Sequence, residues 1–355
     1  MVIMDPRYPA DALVTLGARA LEAADVPPED AELTSRALVE ADRRGIASHG
    51  LLRLPLYTSA LQAGGINARP AMTWVREHGA TAVLDADSGL GQVAMATVTE
   101  RVASIAKELG TGVVAVQNST HYGAGAYWTE RLAADGLVAV ITSTTGPSVT
   151  PFGGVEKILG TNPLTIAAPS AGPGALTADM ATSAGAYGKV VAARNQGEPV
   201  PEGWAVDAAG QPTTDPAEAL AGALLPFGGA KGSAVAVLLE ALSASLTTAS
   251  YAYETEDIWA NHASRMNTGH LVLAIDTAAF TSREHSERRV AELQEKVRGS
   301  AGPDGTTFAP GDIEHANAER HRSSVPLADS TVTQLVELLN SLGLPADQLV
   351  PEPVE

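Results

Sequence analysis

The chain contains no cysteine. Disulfides, thiolate metal sites and a cysteine nucleophile are thereby excluded, and a reducing cytoplasm is the expected location. Basic residues are scarce as well. The 23 Lys and Arg against 41 Asp and Glu give a formal charge of −18, and they stand singly or in pairs such as Arg43-Arg44 and Arg288-Arg289. Nucleic acid or an anionic membrane calls for a clustered basic face, so neither is an expected partner. The longest apolar runs, such as Ala234 to Leu239, fall far short of a membrane span. The opening Met1 to Pro6 lacks a charged segment followed by an apolar one, so no secretory leader is expected. The eight histidines, at 49, 78, 121, 262, 270, 285, 315 and 321, show no HxxxH or HExxH spacing and no acidic cluster, which argues against a metal site. GxSxG and GxxxxGK[ST] strings are absent, so a nucleophilic serine and a Walker loop lack support.

What is present points to a mixed α/β chain. A length of 355 residues suggests about two domains at about 150 residues each. Leu13, Leu16, Ala20, Leu21 and Ala24 recur at three- and four-residue steps and predict an amphipathic helix over 11–24. A second helix is predicted to follow Pro27-Pro28, with Glu29 and Asp30 at its positive end and Gly45 as its stop. Beyond about residue 70, β-rich runs at 81–84, 112–116, 137–142, 164–167 and 271–275 alternate with helical stretches. A helix from Lys231 to about Leu246 carries Val235, Leu238, Leu239 and Leu242 and reads as core, whereas one over 283–297 is charged on most faces and reads as surface. The last predicted helix, 331–342, is expected to return onto the N-terminal helices. The expected division is therefore a helical domain of residues 1–70 with 300–355 and an α/β domain of 71–299.

Four kinds of motif carry chemistry. Gly89-Leu90-Gly91-Gln92-Val93-Ala94 matches GxGxxA after a strand and before a helix, but the next strand runs into Gln117-Asn118 where a Rossmann fold needs a ribose-binding acid; a tight helix start is the expected reading. Ser48-His49-Gly50, with Arg53 four residues beyond the histidine, would set an imidazole and a guanidinium on one helix face, suited to proton transfer beside an anchored carboxylate. By spacing alone, an N-cap by Ser48 with a partly buried histidine and a surface arginine accounts for the same string. His121, in Asn118 to Tyr127, lies between a strand end and a helix, where open α/β sheets place ligand groups; an ordinary turn is the alternative. Small-residue strings at Gly160 to Pro163, Asp179 to Ser183 and Pro226 to Ser233 supply backbone donors, the last also one Lys at a helix start, which favours a bound phosphate or carboxylate.

Taken in order from about residue 10 to about 340, these strings resemble the second type of malate/L-lactate dehydrogenase family, the group of L-sulfolactate dehydrogenase, ureidoglycolate dehydrogenase, diketogulonate reductase and the cyclic ketimine reductases. The resemblance implies a non-Rossmann NAD(P)-binding α/β domain with a mixed sheet, joined to a helical domain formed by the N- and C-terminal segments, and assembled as a homodimer. It implies catalytic roles for Ser48, His49 and His121, and a substrate-gripping role for Arg53. Cofactor contacts fall on His121, Thr145, Asp179, Met180, Ala181, Lys231, Gly232, Gly311 and Asp312. Two departures from the family pattern, Ser143-Thr144 and Pro310-Gly311-Asp312, lie near the expected cofactor. The implied activity is hydride transfer between NAD or NADP and a small 2-hydroxy or 2-oxo acid. A cyclic ketimine reductase and a redox-inactive cofactor-binding protein are the alternatives.

Overall fold

Two separate apolar surfaces, one on helices from both ends of the chain and one on a central sheet, set the architecture. The computed structural model describes residues 5–302 and 305–354. The helices Ala10–Glu22, Pro28–Arg43 and Leu54–Ala63 pack with Asp329–Ser341, and a short antiparallel pair, Arg7–Pro9 with Ser324–Pro326, ties the two ends together. Leu13, Leu16, Leu38, Leu51, Leu54 and Tyr57 share one apolar cluster with Leu335, Leu338 and Leu339, so the returning C-terminal helix predicted from its periodicity is present. The first two helices meet closely because Gly17 has no side chain. A Cβ there would stand 2.2 Å from Ser35 Oγ, which instead donates to the Val14 carbonyl at 2.8 Å.

The second core lies on a seven-stranded sheet in the order Thr73–His78, Thr81–Asp85, Thr111–Ser119, Thr268–Asp276, Leu137–Ser143, Leu164–Ala168, Leu176–Met180. Only Thr81–Asp85 and Thr111–Ser119 run parallel, joined by the helix Gly91–Leu109; the other neighbours are antiparallel. The sheet is therefore mixed. Val114, Val116, Ala139, Ile141, Val272 and Ala274 face Met95, Val98 and Val102 of that helix in one buried cluster. A third, smaller cluster, including Val149, Leu159, Val190, Ala205 and Leu224, sits by a three-stranded sheet of two-residue strands within 205–224.

The helix Ala230–Ala244 departs from its expected burial. It packs Ala236, Leu239 and Ser243 inward, but Leu238 is 64% and Leu242 43% exposed. Hydrophobic content alone suggested core; only one side of the helix rests on the sheet. Among the described residues no helix is long and apolar enough to cross a membrane.

Candidate active site

The Ser48-His49-Gly50 string is bent by its own backbone. After the helix Pro28–Arg43, Gly45 takes φ +80°, and two single turns follow, Ala47–His49 and Leu51–Arg53, before Leu54–Ala63 begins. Gly50 is required by space, since a Cβ would lie 1.9 Å from Asp42 Oδ1. The Asp42 carboxyl receives the Leu51 N–H at 2.8 Å, and burial pushes its pKa up to about 7. Ser48 is not a helix cap. Its hydroxyl lies 2.9 Å from His49 Nδ1, and its carbonyl accepts Arg53 Nε at 2.6 Å, so serine, histidine and arginine are joined in one turn.

His121 reaches the same place from the sheet. The strand Thr111–Ser119 ends, and Thr120 Oγ1 accepts the Gly91 N–H at 3.0 Å and donates to the Gly89 carbonyl at 2.9 Å. A Cβ on Gly91 would be 2.4 Å from the Thr120 carbonyl. The GxGxxA glycine thus lets a loop press on the helix start and leaves no place there for a pyrophosphate, in keeping with the tight-turn reading. The next residue, His121, stacks its ring 5.4 Å from that of His49 with 27° between planes.

Hydrogen bonding fixes the state of that second imidazole. The Gly123 N–H, which can only donate, lies 3.3 Å from His121 Nδ1. Tyr57 Oη is 2.5 Å from the same nitrogen, while Gln92 Nε2 donates to Tyr57 Oη at 3.1 Å. Nδ1 is therefore the acceptor, and the neutral ring carries its proton on Nε2. Burial lowers His121 well below the ordinary histidine range, with His49, Arg53 and His270 adding to the effect. His49 falls to about 4 through desolvation and then the Arg53 charge. Burial also raises Tyr57 to about 12, against a smaller lowering by Arg53 and Gln92. Two neutral imidazoles, one phenol and one guanidinium thus stand together.

Several of these residues carried no sequence signal. Tyr57 belongs to no motif and is buried, and Gln92 lies inside the Gly89 to Ala94 string. His270 is fully buried on its strand, held by Ser143 Oγ at Nδ1 and Ser119 Oγ at Nε2, both at 2.8 Å, and burial lowers it to about 3. Ser143, one of the departures from the family pattern, is thus a partner of a core histidine. Arg53 lies 4.4 Å from the ring centroid of Trp259, a contact 206 positions away that no local pattern announces.

The residues expected near a nicotinamide cofactor gather on the sheet's far edge. Thr161 N–H donates to Thr145 Oγ1 at 2.9 Å, Thr182 N–H to the Thr161 carbonyl at 2.8 Å, and Phe227 N–H to the Thr182 carbonyl at 3.0 Å, so Thr145, Ala181 and the Pro226 loop are laced together. Gly228 and Gly229 take φ +61° and +63° ahead of the helix Ala230–Ala244, whose first turn has no side-chain cap and exposes Lys231. A Cβ on Gly232 would stand 1.6 Å from the Phe227 carbonyl. Free N–H groups at a helix start, one lysine, and exposed Met180 and Phe227 beside them fit a phosphate-bearing ligand with a flat ring.

Two expected contacts have their side chains committed elsewhere. Asp179 accepts Thr165 Oγ1 at 2.7 Å and the Ala126 N–H at 2.9 Å, closing the start of the helix Gly125–Ala134. Asp312 holds Arg298 through both oxygens, at 2.6 and 2.9 Å, and also accepts the Ala309 N–H at 2.8 Å. Gly311, at φ +93°, packs against the carbonyls of Ala175 and Thr177. These bonds give both carboxylates a structural role in the wall.

The profile of the malate/L-lactate dehydrogenase family matches residues 8–336. L-sulfolactate dehydrogenase of Methanocaldococcus jannaschii is 40% identical over 320 residues, covering 90% of this chain and 92% of that protein. The solved structure of sulfolactate dehydrogenase from that organism superposes with a TM-score of 0.90 at 38% identity, over 96% of this chain and 99% of the other. The (2R)-3-sulfolactate dehydrogenase (NADP(+)) of Chromohalobacter salexigens is 39% identical over 325 residues, 90% of this chain and 94% of its own. The structure of Δ1-piperideine-2-carboxylate reductase from Pseudomonas syringae superposes at a TM-score of 0.85 and 31% identity, over 93% and 99% of the two chains. This chain belongs to the malate/L-lactate dehydrogenase family and is a dehydrogenase that works with a nicotinamide cofactor.

Proposed function

We propose that the protein interconverts a small 2-hydroxy acid and its 2-oxo acid, with Arg53 holding the carboxylate and His121 moving the proton. The observation that carries this reading is the meeting of His121, His49 and Arg53 in one cleft, with the proton of His121 on the free Nε2. The nicotinamide, when bound, supplies or accepts the hydride at C2. Thr145, Met180, Ala181, Lys231 and Gly232 would hold it, Lys231 and the helix start taking its phosphates; Asp179, Gly311 and Asp312 shape that wall. With Nε of Arg53 on the Ser48 carbonyl, its terminal nitrogens remain to orient a carboxylate. His121 Nε2–H donates to the substrate oxygen. As that proton leaves, Nδ1 becomes basic and takes the proton shared with Tyr57, whose phenolate lies beside Gln92 and under the charge of Arg53. Oxidation runs the same transfers backwards. His49, stacked on His121 and bonded to Ser48, resists a second positive charge and keeps the pair neutral.

A cyclic imine with a 2-carboxylate presents the same anchor and a nitrogen in place of the oxygen. The likeness to the piperideine-carboxylate reductase supports this second reading. Both NADH and NADPH are candidates. The stripe Leu238, Leu242 and Leu246, 43 to 64% exposed, supports a homodimer, and the cysteine-free sequence suits a reducing cytoplasm.

Titration of the protein with NADH and NADPH, followed by nicotinamide fluorescence, and then a screen of 2-oxo acids and cyclic imines tests the reading. Saturable binding and turnover are expected, and His121→Gln should lose about 10²- to 10⁴-fold in kcat while still binding the nucleotide. Binding without any turnover would instead select the redox-inactive alternative.

A further inference from the structure

We propose that this site selects 2-oxo and 2-hydroxy acids with a single negative charge and an uncharged flat or apolar substituent, and that Trp259 and Asp257 exclude dianionic acids. The inference rests on the reading of Arg53 as the carboxylate anchor.

The segment from Thr255 to Met266 is a fixed wall. Ile258 and Met266 are buried in the helical core at 1% and 6% exposure. Asn261 Nδ2 donates to Glu256 Oε2 at 2.8 Å, and Ser264 Oγ donates to the Glu256 carbonyl at 2.5 Å. A Cβ on Gly65 would be 2.2 Å from the His262 carbonyl, so the segment is pressed against the end of the helix Leu54–Ala63. This backbone presents Trp259, 58% exposed, with its ring 4.4 Å from the Arg53 guanidinium carbon. An indole with a cation on its face and much of its surface open makes an apolar wall beside the anchor.

Asp257 sets the charge of that corner. Its Oδ1 accepts the Trp259 N–H at 3.0 Å, and its Oδ2 lies over Gly146, where a Cβ would come within 2.4 Å. Burial raises the Asp257 carboxyl above its ordinary range, and the Trp259 N–H and the Arg53 charge pull it back towards the ionised form. Arg53 bears on both His49 and His121, and the neighbouring imidazoles of His49 and His270 on His121. Lys231 and Arg265, the latter in the same segment as Trp259, are solvent-exposed. One guanidinium is offset by one carboxylate. After the first substrate carboxylate is seated, a second carboxylate or a sulfonate meets an indole and a net negative charge. A monoanion leaves only its uncharged end against Trp259.

The test compares kcat/KM for pyruvate, 2-oxobutyrate and phenylpyruvate with that for oxaloacetate and 3-sulfopyruvate. The monoanions are expected to be favoured by about tenfold or more, and Asp257→Asn, which keeps an oxygen for the Trp259 N–H, should narrow the gap by about tenfold. Equal or greater efficiency with the dianions overturns the proposal. A second readout needs no turnover: quenching of Trp259 fluorescence by lactate against malate, taken as the difference between wild type and Trp259→Phe. Tighter lactate binding without turnover of any acid would sink the dehydrogenation reading and uphold charge selection. Malate binding as tightly as lactate sinks the selection, and failure of both acids to bind sinks both.

Discussion

The hydroxyl of Tyr57 and Nδ1 of His121, on residues 64 positions apart, stand 2.5 Å from each other. The contact joins the helical core to the sheet at the place of the proposed proton transfer, because Tyr57 belongs to the first and His121 follows a strand of the second. It also chooses the tautomer, with Gln92 and Gly123 supplying the N–H groups that leave Nδ1 no donor role. Tyr57→Phe keeps the buried ring and removes the hydroxyl. The variant should fold and bind NAD(P)H as wild type does and lose about tenfold to a hundredfold in kcat, with KM little changed. Unchanged kcat would show that the phenol only packs.

The depressed imidazoles set a pH dependence with a definite sign. In the reduction direction the relay starts from the Tyr57 phenol and a neutral His121 with its proton on Nε2, a state that is lost as pH falls through the histidine pKa of the folded protein. That pKa lies below the ordinary 6.5 for both histidines, about 4 for His49. The kcat/KM profile for a 2-oxo acid should therefore stay flat from pH 8 through pH 6 and change only below about 5. An acid limb centred at 6.5 would mean that the acting histidine is solvated and outside this network.

How far the sequence reveals all this depends on the range of each cause. Strands such as Leu137–Ser143 and Thr268–Asp276 and helices such as Pro28–Arg43 are legible because periodicity and caps act within a few residues. Ser48, His49, Arg53 and His121 stand out because polar groups interrupt small-residue strings. Tyr57, Gln92, Asp257 and Trp259 do not, since each earns its place through a partner far away in the chain. His270 is the opposite case: a histidine on an apolar strand, paired with two serines in the core, whose reason is packing. The exposed side of Ala230–Ala244 was misread because an apolar residue does not report what covers it.

Asp42 beneath Gly50 couples the site to stability. Its pKa is raised to about 7 by burial, above the unfolded value near 3.8, so its stabilising contribution is present at acid pH and is lost as pH rises from about 4 to about 7. Each pH unit in that window is worth about 1.4 kcal/mol for one group at full effect. Asp42→Asn keeps an acceptor for the Leu51 N–H and removes the charge. Thermal melts should show the variant gaining on wild type at pH 8 relative to pH 5. A difference between the two proteins that does not change with pH would show Asp42 to be ionised at its ordinary value.

Leu238 and Leu242 stand four residues apart on the helix Ala230–Ala244, and Leu246 follows just beyond its end, with 64%, 43% and 53% of each exposed. A leucine moved fully out of water contributes roughly 1.5–3 kcal/mol, and two copies meeting on this stripe would cover three from each. That gain is of the order needed to meet the about 4–15 kcal/mol that association costs in lost freedom, provided the rest of the face also packs. The dimer would then shield the same helix whose first turn carries Lys231, the proposed cofactor contact, and would link assembly to nucleotide binding through one rigid element. Sedimentation should find wild type as a dimer and Leu238→Glu/Leu242→Glu as a monomer with a folded far-UV spectrum and weaker NAD(P)H binding. A wild-type protein that sediments as a monomer at micromolar concentration would remove the dimer from this account. A variant that stays dimeric would move the interface to another face.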